Sequence, residues 1–187
     1  MKFKISNINN ISFFILLYLS LIVGFLNGES LNYGSYGDWV GGNSRPISDF
    51  SSNFLYTFLN YDDYAHRHSP IYQIFLSLFL DLGFDIDQVR FIHLHLCISL
   101  VIIFYKCLRL KFKDINNNYL VALSFIIFLS PTFRSLTIWP DSRIPGLIFF
   151  VLTIYFFLKF KKTSCHKYMW YTCGTLLVSS YISPNFS

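Results

Sequence analysis

The stretch QVRFIHLHLCISLVIIFYKCL, residues 88–108, decides the fold class of this chain. A helix of this length is about 30 Å long, because each residue of an α-helix adds about 1.5 Å. That length matches the hydrocarbon thickness of a bilayer, and most of the side chains are apolar. Basic residues follow at Arg109 and Lys111, as at the cytoplasmic end of a membrane helix. We therefore predict an all-α membrane protein.

The composition of the whole chain points the same way. Of its 187 residues, 53% are hydrophobic and only 13% are charged, whereas about 25% charged is usual in soluble domains. A soluble enzyme of this composition would lack the polar surface needed to cover its core. The net charge of +5 comes from Lys and Arg at the ends of apolar stretches, not from a basic patch interleaved with aromatics. We therefore expect no nucleic-acid partner.

Four more stretches have roughly the length and apolarity of a membrane span. They are residues 11–28, 119–139, 144–160 and 168–183. Together with residues 88–108 they predict about five transmembrane helices in a single membrane module, residues 1–187. Residues 70–84 are apolar but shorter, so we expect a helix that lies on the membrane surface. It belongs to a long first loop, residues 29–87, that carries short surface helices.

The distribution of charge predicts the orientation in the membrane. If residues 70–84 do not span, ten of the 15 Lys and Arg residues share one side with a single acid, Asp114. The other side then holds nine of the ten acidic residues. Because Lys and Arg concentrate in cytoplasmic segments, we expect a cytoplasmic N-terminus and an external loop at residues 29–87. We place the protein in the plasma (inner) membrane.

Two groups of polar side chains stand out on the predicted external face. They are Asp62, Asp63, His66 and His68 in the loop, and Asp141 and Arg143 in the turn before the fourth span. Carboxylates gathered there can bind a divalent cation or accept a proton, and arginines can hold a phosphate. Simpler explanations stay open, because loop aspartates are often solvated turns and Asp141 can cap a helix.

Ionisable residues also occur inside the second predicted span. Arg90 and His93 share one face of that helix, while His95 points elsewhere. Such residues mark interior or functional positions of membrane proteins. A packed, hydrogen-bonded histidine explains His93 as well as a catalytic one does.

A series of short motifs then follows in a defined order along the chain. The motifs are residues 48–50 (SDF), 68–72 (HSPIY), 82–84 (LGF) with 89–91 (VRF), 129–131 (LSP) and 139–143 (WPDSR). Their order resembles the N-terminal part of the GT-C superfamily of membrane glycosyltransferases, which includes protein O-mannosyltransferases and lipid A aminoarabinose transferases. The resemblance covers nearly the whole chain and implies a partial GT-C fold.

The resemblance also implies an activity. A sugar would move from a polyprenyl-phosphate-linked donor to a glycan, lipid or protein acceptor at the external face. Asp49 matches the loop acid that serves as general base, and Asp38, in residues 37–39 (GDW), is its rival. Asp49 and Asp141 are the implied ligands of a possible divalent cation. The implied substrate- or phosphate-binding residues are Asp62, Asp63, His66, His68, Arg90, Asp141 and Arg143.

The chain also departs from the family. Family members have more helices, so we expect this chain to be the front portion of a longer protein and incomplete as an enzyme on its own. One alternative is a non-catalytic membrane subunit whose aromatic helices pack against a partner. Another is a fragment of a transporter whose external acids attract cations, although the third and fourth spans offer few polar residues beyond Ser124 and Thr153.

Overall fold

The computed structural model describes residues 10–31, 34–64 and 68–186. Within those ranges every regular element is helical and no strand occurs. The chain is therefore an all-α protein, as its sequence predicts.

Ten α-helices follow one another along these ranges. They are α1 (Asn10–Leu26), α2 (Gly34–Asp38), α3 (Ser44–Ser52), α4 (Phe54–Leu59), α5 (Ile71–Asp81), α6 (Ile86–Lys111), α7 (Asn117–Phe125), α8 (Pro131–Ile138), α9 (Arg143–Thr163) and α10 (His166–Ile182). A π-helix covers Trp39–Asn43, and 3-10 segments cover Tyr61–Tyr64, Ile126–Leu129 and Pro184–Phe186.

The longest helix, α6, has clear start and stop signals. Asp85 accepts a hydrogen bond from the backbone N–H of Gln88 at 2.8 Å, and the Gln88 side chain accepts one from the backbone N–H of Asp85 at 2.9 Å. This capping box satisfies N–H groups that have no partner inside the helix. Arg109 and Lys111 occupy the last turn, where positive charge interacts favourably with the helix dipole.

The number of membrane-crossing helices differs from the five expected. In the part of the chain that the structure describes, α6 with 26 residues and α9 with 21 are long and apolar enough to cross a membrane. The pair α7 and α8 adds a third only if its two bent halves count as one span. Within the described residues, α1 and α10 have 17 residues each, a length of about 26 Å, which is short of a bilayer core of about 30 Å. These apolar helices are compatible with a membrane protein.

The expected third span, residues 119–139, is broken in the middle. Ser130 caps α8, because its hydroxyl oxygen accepts a hydrogen bond from the backbone N–H of Phe133 at 3.3 Å. Pro131 stands in the first turn of α8, a position that tolerates its missing N–H. The two halves meet at 65°. A cap and a proline therefore end one helix and start another inside an apolar stretch.

Helix α1 runs antiparallel to α6. Tyr18, in the middle of α1, hydrogen-bonds His95 at 2.9 Å, and the Phe25 ring near the end of α1 contacts the Phe91 ring at 5.6 Å. Between these two contacts the residue number increases in α1 and decreases in α6. The end of α1 therefore lies beside the start of α6.

Helices α9 and α10 form an antiparallel pair. Thr153 donates a hydrogen bond to Thr175 at 2.9 Å, and Ser179 donates one to the backbone oxygen of Gly146 at 2.8 Å. Gly146 permits this close approach, because a Cβ there would meet Ser183 at 2.7 Å. The end of α10 thus lies beside the start of α9. Helices α6 and α9 begin at the same end of the molecule, and we call that end the 'pocket end'.

An ion pair joins α8 to the end of α1. The Arg134 guanidinium binds Glu29 through Nε at 2.6 Å and through Nη2 at 2.5 Å. Its Nη1 donates to the Ser20 hydroxyl at 3.2 Å, and Nη2 also donates to the Ser20 carbonyl at 3.0 Å. Gly24 leaves room for the pair, because a Cβ at that position would lie against both charged side chains.

Candidate functional site

A polar pocket of about 610 Å³ opens at the pocket end. Its walls come from α2, the π-helix, the end of the 3-10 segment Tyr61–Tyr64 with His68, the start of α9 and the segment after α10. The side chains that give it chemical character are Asp38, Tyr64, His68, Asp141, Arg143 and Asn185. The fold therefore brings together residues that are more than 100 positions apart in the chain.

Arg143 is the centre of the charge network in this pocket. It binds Asp141 through Nε at 2.8 Å and Nη2 at 2.9 Å, and Nη2 also lies 2.9 Å from Asp38. Asp141 is 6% exposed, whereas the side chains of Arg143 and Asp38 are 37% and 56% exposed. One buried and one open carboxylate thus hold the guanidinium on two sides.

Asp141 also serves the start of α9. Its Oδ1 accepts a hydrogen bond from the backbone N–H of Arg143 at 2.7 Å. This contact satisfies one of the free N–H groups of the first helical turn, so the capping role considered from the sequence is part of its function. Burial by itself raises the pKa of Asp141, but the hydrogen bonds and charge of Arg143 outweigh it and the pKa lies below the ordinary 3.8. Asp141 is therefore ionised at neutral pH.

The Arg143 guanidinium keeps one nitrogen free within the described parts of the chain. Nε and Nη2 donate to the two carboxylates, while no hydrogen bond involves Nη1. Because the side chain is partly exposed in the pocket wall, this nitrogen is available to an anion that enters the pocket.

Asp49 lies behind the pocket wall and not on it. The Tyr64 hydroxyl donates a hydrogen bond to Asp49 Oδ2 at 2.5 Å, and Arg45 Nε lies 3.4 Å from the same oxygen. Tyr64 itself lines the pocket. Burial, followed by the hydrogen bond to Asp49 and its charge, raises the pKa of Tyr64. Asp49 is thus connected to the pocket only indirectly, through its hydrogen bond with Tyr64.

The other predicted loop residues have different positions. Asp62 and Asp63 are exposed on the segment Tyr61–Tyr64 and do not line the pocket. His68 does line it, together with Asp141. His66 lies outside the residues that the structure describes.

Arg90 is held away from the pocket by aromatic rings. Its guanidinium carbon lies 3.8 Å from the centre of the Trp139 ring and 4.9 Å from that of Phe25. Nη1 binds Asp87 at 2.8 Å, while Nε and Nη2 are buried without a hydrogen-bond partner in the described structure. Arg90 therefore packs α6 against α1 and the turn before α9.

A buried hydrogen-bonded chain lies among α5, α6 and α8. His93 Nε2 is 2.9 Å from the carbonyl oxygen of Leu136, and the Tyr72 hydroxyl contacts His93 Nδ1. Since a carbonyl oxygen only accepts, Nε2 carries the proton and Nδ1 accepts a hydrogen bond from Tyr72. His93 is fully buried. The geometry favours the packed, hydrogen-bonded histidine among the two explanations given by the sequence.

The sequence did not single out Tyr64, Tyr72 or Asn185. Tyr64 directly follows the Asp62 and Asp63 pair, and Tyr72 ends the HSPIY motif, so position beside a candidate motif was the available signal. Asn185 carries no such signal, because it joins the pocket only through the packing of the segment after α10.

The predicted cation ligands, Asp49 and Asp141, have different surroundings in the structure. They do not line a common pocket, and Arg143 binds both carboxylate oxygens of Asp141. Among the residues with described positions, no group of three or more His, Cys, Asp and Glu side chains is arranged to hold a metal.

Comparisons with protein-family models, curated proteins and solved structures gave no match to this chain.

Proposed function

We propose that this chain is the N-terminal membrane part of a glycosyltransferase of the GT-C kind. It transfers a sugar from a polyprenyl-phosphate-linked donor to an acceptor at the pocket end. The observation that carries the proposal is the pocket of about 610 Å³ in which two carboxylates flank a partly exposed arginine. An acceptor hydroxyl needs a positioned base, and a phosphate leaving group needs a positive charge.

Arg143 has the role of holding the phosphate. During transfer the bond between the anomeric carbon and the phosphate oxygen breaks, and the acceptor oxygen bonds to that carbon. The electron pair of the broken bond remains on the phosphate, whose charge increases. The unused Nη1 donor and the positive charge of the guanidinium stabilise the charge on the phosphate. Arg90 is less suited to this role, because rings cover its guanidinium.

Two carboxylates compete for the role of base that takes the acceptor proton. Asp49 is the residue that the family resemblance implies, whereas Asp38 lines the pocket directly. In the described structure each has an Oδ1 oxygen without a hydrogen bond, because the contacts of both residues use Oδ2. The pocket position favours Asp38, and substitution of each residue distinguishes them.

The proposal includes an orientation. The pocket end faces the outside, because the basic last turns of α6 and α9 lie at the ends remote from the pocket. Crossing by α1, the bent pair α7 and α8, and α10 would complete five spans. Helices of 17 residues can cross if the bilayer thins locally around them.

The test is a transfer assay in membranes that contain the protein as its cell makes it. Radiolabelled sugars on polyprenyl phosphate are supplied, and release of free polyprenyl phosphate is measured. We expect Asp38→Asn to abolish transfer and Asp49→Asn to reduce it. The reverse order would assign the base to Asp49. Asp114→Asn, in the connection between α6 and α7, is the control and should retain activity.

Full transfer by both Asp38→Asn and Asp49→Asn would remove the carboxylates from the mechanism. If the unaltered protein transfers no sugar from any polyprenyl-phosphate donor, the proposed function is wrong, and the non-catalytic membrane subunit becomes the better explanation.

A further inference from the structure

Helix α4 presents an apolar surface in the middle of an otherwise polar loop. Five of its six side chains are large, apolar or aromatic, and exposed. They are Phe54, Leu55, Tyr56, Phe58 and Leu59, with exposed fractions of 51%, 67%, 63%, 51% and 72%. No charged residue occurs between residues 51 and 60. Exposed apolar patches of this kind mark contact with a membrane or a partner.

The apolar surface has a fixed direction. The Asn53 side chain caps the helix by accepting a hydrogen bond from the backbone N–H of Tyr56. The Phe54 and Phe58 rings stack with centres 6.1 Å apart and only 8° between their planes. Thr57 is the one buried residue of α4, so it faces the protein while the apolar side chains face outward.

The position of α4 relates it to the ends of the longer helices. Phe58 lines an open cavity of about 580 Å³ together with Ile71, Ile74 and Tyr181. Ile71 starts α5, and Tyr181 stands in the last turn of α10, beside the start of the membrane-length helix α9. Helix α4 therefore lies at the level where α9 would leave the apolar part of a bilayer.

The apolar surface continues from α4 onto α5. Ile71, Phe75 and Leu78 recur at helical spacing along α5 and are 43%, 39% and 53% exposed. A continuous surface of Phe, Leu, Ile and Tyr at that level has the chemistry of a membrane interface, where aromatic residues are enriched and charged ones are excluded from the apolar side.

We propose that α4 is an interfacial anchor, whose partner is the lipid surface at the pocket end. This inference does not depend on sugar transfer. It gives the loop a further task, because α4 leads directly into the segment Tyr61–Tyr64, and Tyr64 lines the pocket and binds Asp49. An α4 embedded in the interface holds that side of the pocket at a fixed depth relative to the bilayer.

The depth of α4 can be measured by spin labelling of the protein in phosphatidylcholine and phosphatidylglycerol liposomes. The exposed Cys165 and Cys173 are replaced by serine, while Cys97 and Cys107 are buried and stay. A nitroxide is then attached at Leu55→Cys or Leu59→Cys. Asp62→Cys, exposed a few residues further along the same loop, is the matched control.

Collisions with oxygen, which dissolves in lipid, are compared with collisions with a water-soluble nickel chelate. We expect the oxygen-to-nickel ratio at Leu55 and Leu59 to exceed that at Asp62 several-fold. A ratio at both leucines as low as at Asp62 would place α4 in water and overturn the anchor. Protection from both reagents would show that protein covers α4 and would overturn it as well.

Discussion

Two arginines of this molecule, Arg134 and Arg143, each bind carboxylates, but they use their donors differently. Arg134 directs all three nitrogens at Glu29 and Ser20, and its side chain is only 15% exposed. Arg143 binds two carboxylates with Nε and Nη2, keeps Nη1 free in the described structure and is 37% exposed in a pocket wall.

The difference separates a structural tie from a binding group. Arg134 has four of its five N–H donors bound to Glu29 and Ser20, so it holds α1 and α8 together and has little capacity left for a ligand. An arginine that is held by carboxylates but has a donor to spare is oriented and still able to bind an anion. We therefore expect substitutions of Arg134 to change stability and substitutions of Arg143 to change activity.

The largest effect is expected for Arg143→Gln. Loss of the charge that stabilises the leaving phosphate should lower turnover about 100-fold or more, as removal of one such donor does in other enzymes. The measurement is the initial rate of polyprenyl phosphate release at saturating donor. Arg109→Gln, at the basic end of α6, is the control and should leave the rate unchanged.

Arg143→Gln leaves the buried Asp141 carboxylate without its partner, so its loss of turnover could result from misfolding. A second variant separates these two causes. Asp141→Asn combined with Arg143→Gln removes both charges, and it should be equally inactive while unfolding more like the unaltered protein. Near-normal turnover by either variant would show that Arg143 is only a structural tie.

Arg134→Gln should give the largest change in stability. Loss of one partner of a buried ion pair costs about 3–5 kcal/mol, and we reduce this to about 2 kcal/mol because Glu29 is 35% exposed. Thermal unfolding in detergent, followed by tryptophan fluorescence, measures it. Arg134→Lys keeps the charge but loses the bidentate geometry, so its unfolding temperature should lie between those of the unaltered protein and Arg134→Gln. Unchanged unfolding of Arg134→Gln would contradict the structural role.

A smaller effect is expected for Gly24→Ala. The added Cβ would crowd the Glu29 carboxylate and the Arg134 guanidinium, so the pair must shift at a cost of about 1 kcal/mol. The effect should largely disappear in the Arg134→Gln background, because the two changes act on one contact. Gly174→Ala, where nothing lies within 4 Å of the new Cβ, is the control and should be neutral or stabilising.

The smallest effect is expected from pH between 5 and 8. The folded pKa of Asp141 lies below the ordinary 3.8, so its ion pair with Arg143 stabilises the protein fully above that value and loses its contribution only as pH falls through the folded pKa. The difference in unfolding temperature between the unaltered protein and Asp141→Asn should stay constant from pH 8 to 5. A difference that already shrinks near pH 6 would show that burial raises the pKa of Asp141 more than Arg143 lowers it.

The sequence predicts the all-α class and the longest membrane-length helices, because the length of an apolar stretch depends only on residues that are neighbours in the chain. The hydropathy of residues 119–139 does not reveal the break in that stretch, where the Ser130 cap and Pro131 divide it into two helices. Fewer helices than the five expected are long and apolar enough to cross a membrane, because α1, described from Asn10 onward, and α10 have 17 residues each.

The candidate site was predictable where its residues are neighbours. Asp141 and Arg143 stand two positions apart at the start of a span, and the structure joins them. The contact between Arg143 and Asp38 was not predictable, because it depends on how the helices of the loop fold over the end of the bundle. Asp38 ends α2 and is followed directly by the glycine-containing π-helix Trp39–Asn43, and both line the pocket.

Binding of polyprenyl phosphate to the purified protein tests most directly the claim that Arg143 holds a lipid phosphate. Native mass spectrometry in detergent compares the unaltered protein, Arg143→Gln, Asp141→Asn with Arg143→Gln, and Arg109→Gln. Because a hydrogen bond to a charged group contributes about 1.5–3 kcal/mol, we predict that both variants lacking Arg143 bind about 10- to 100-fold more weakly, while Arg109→Gln binds normally. Equal affinity in all four proteins would contradict the account.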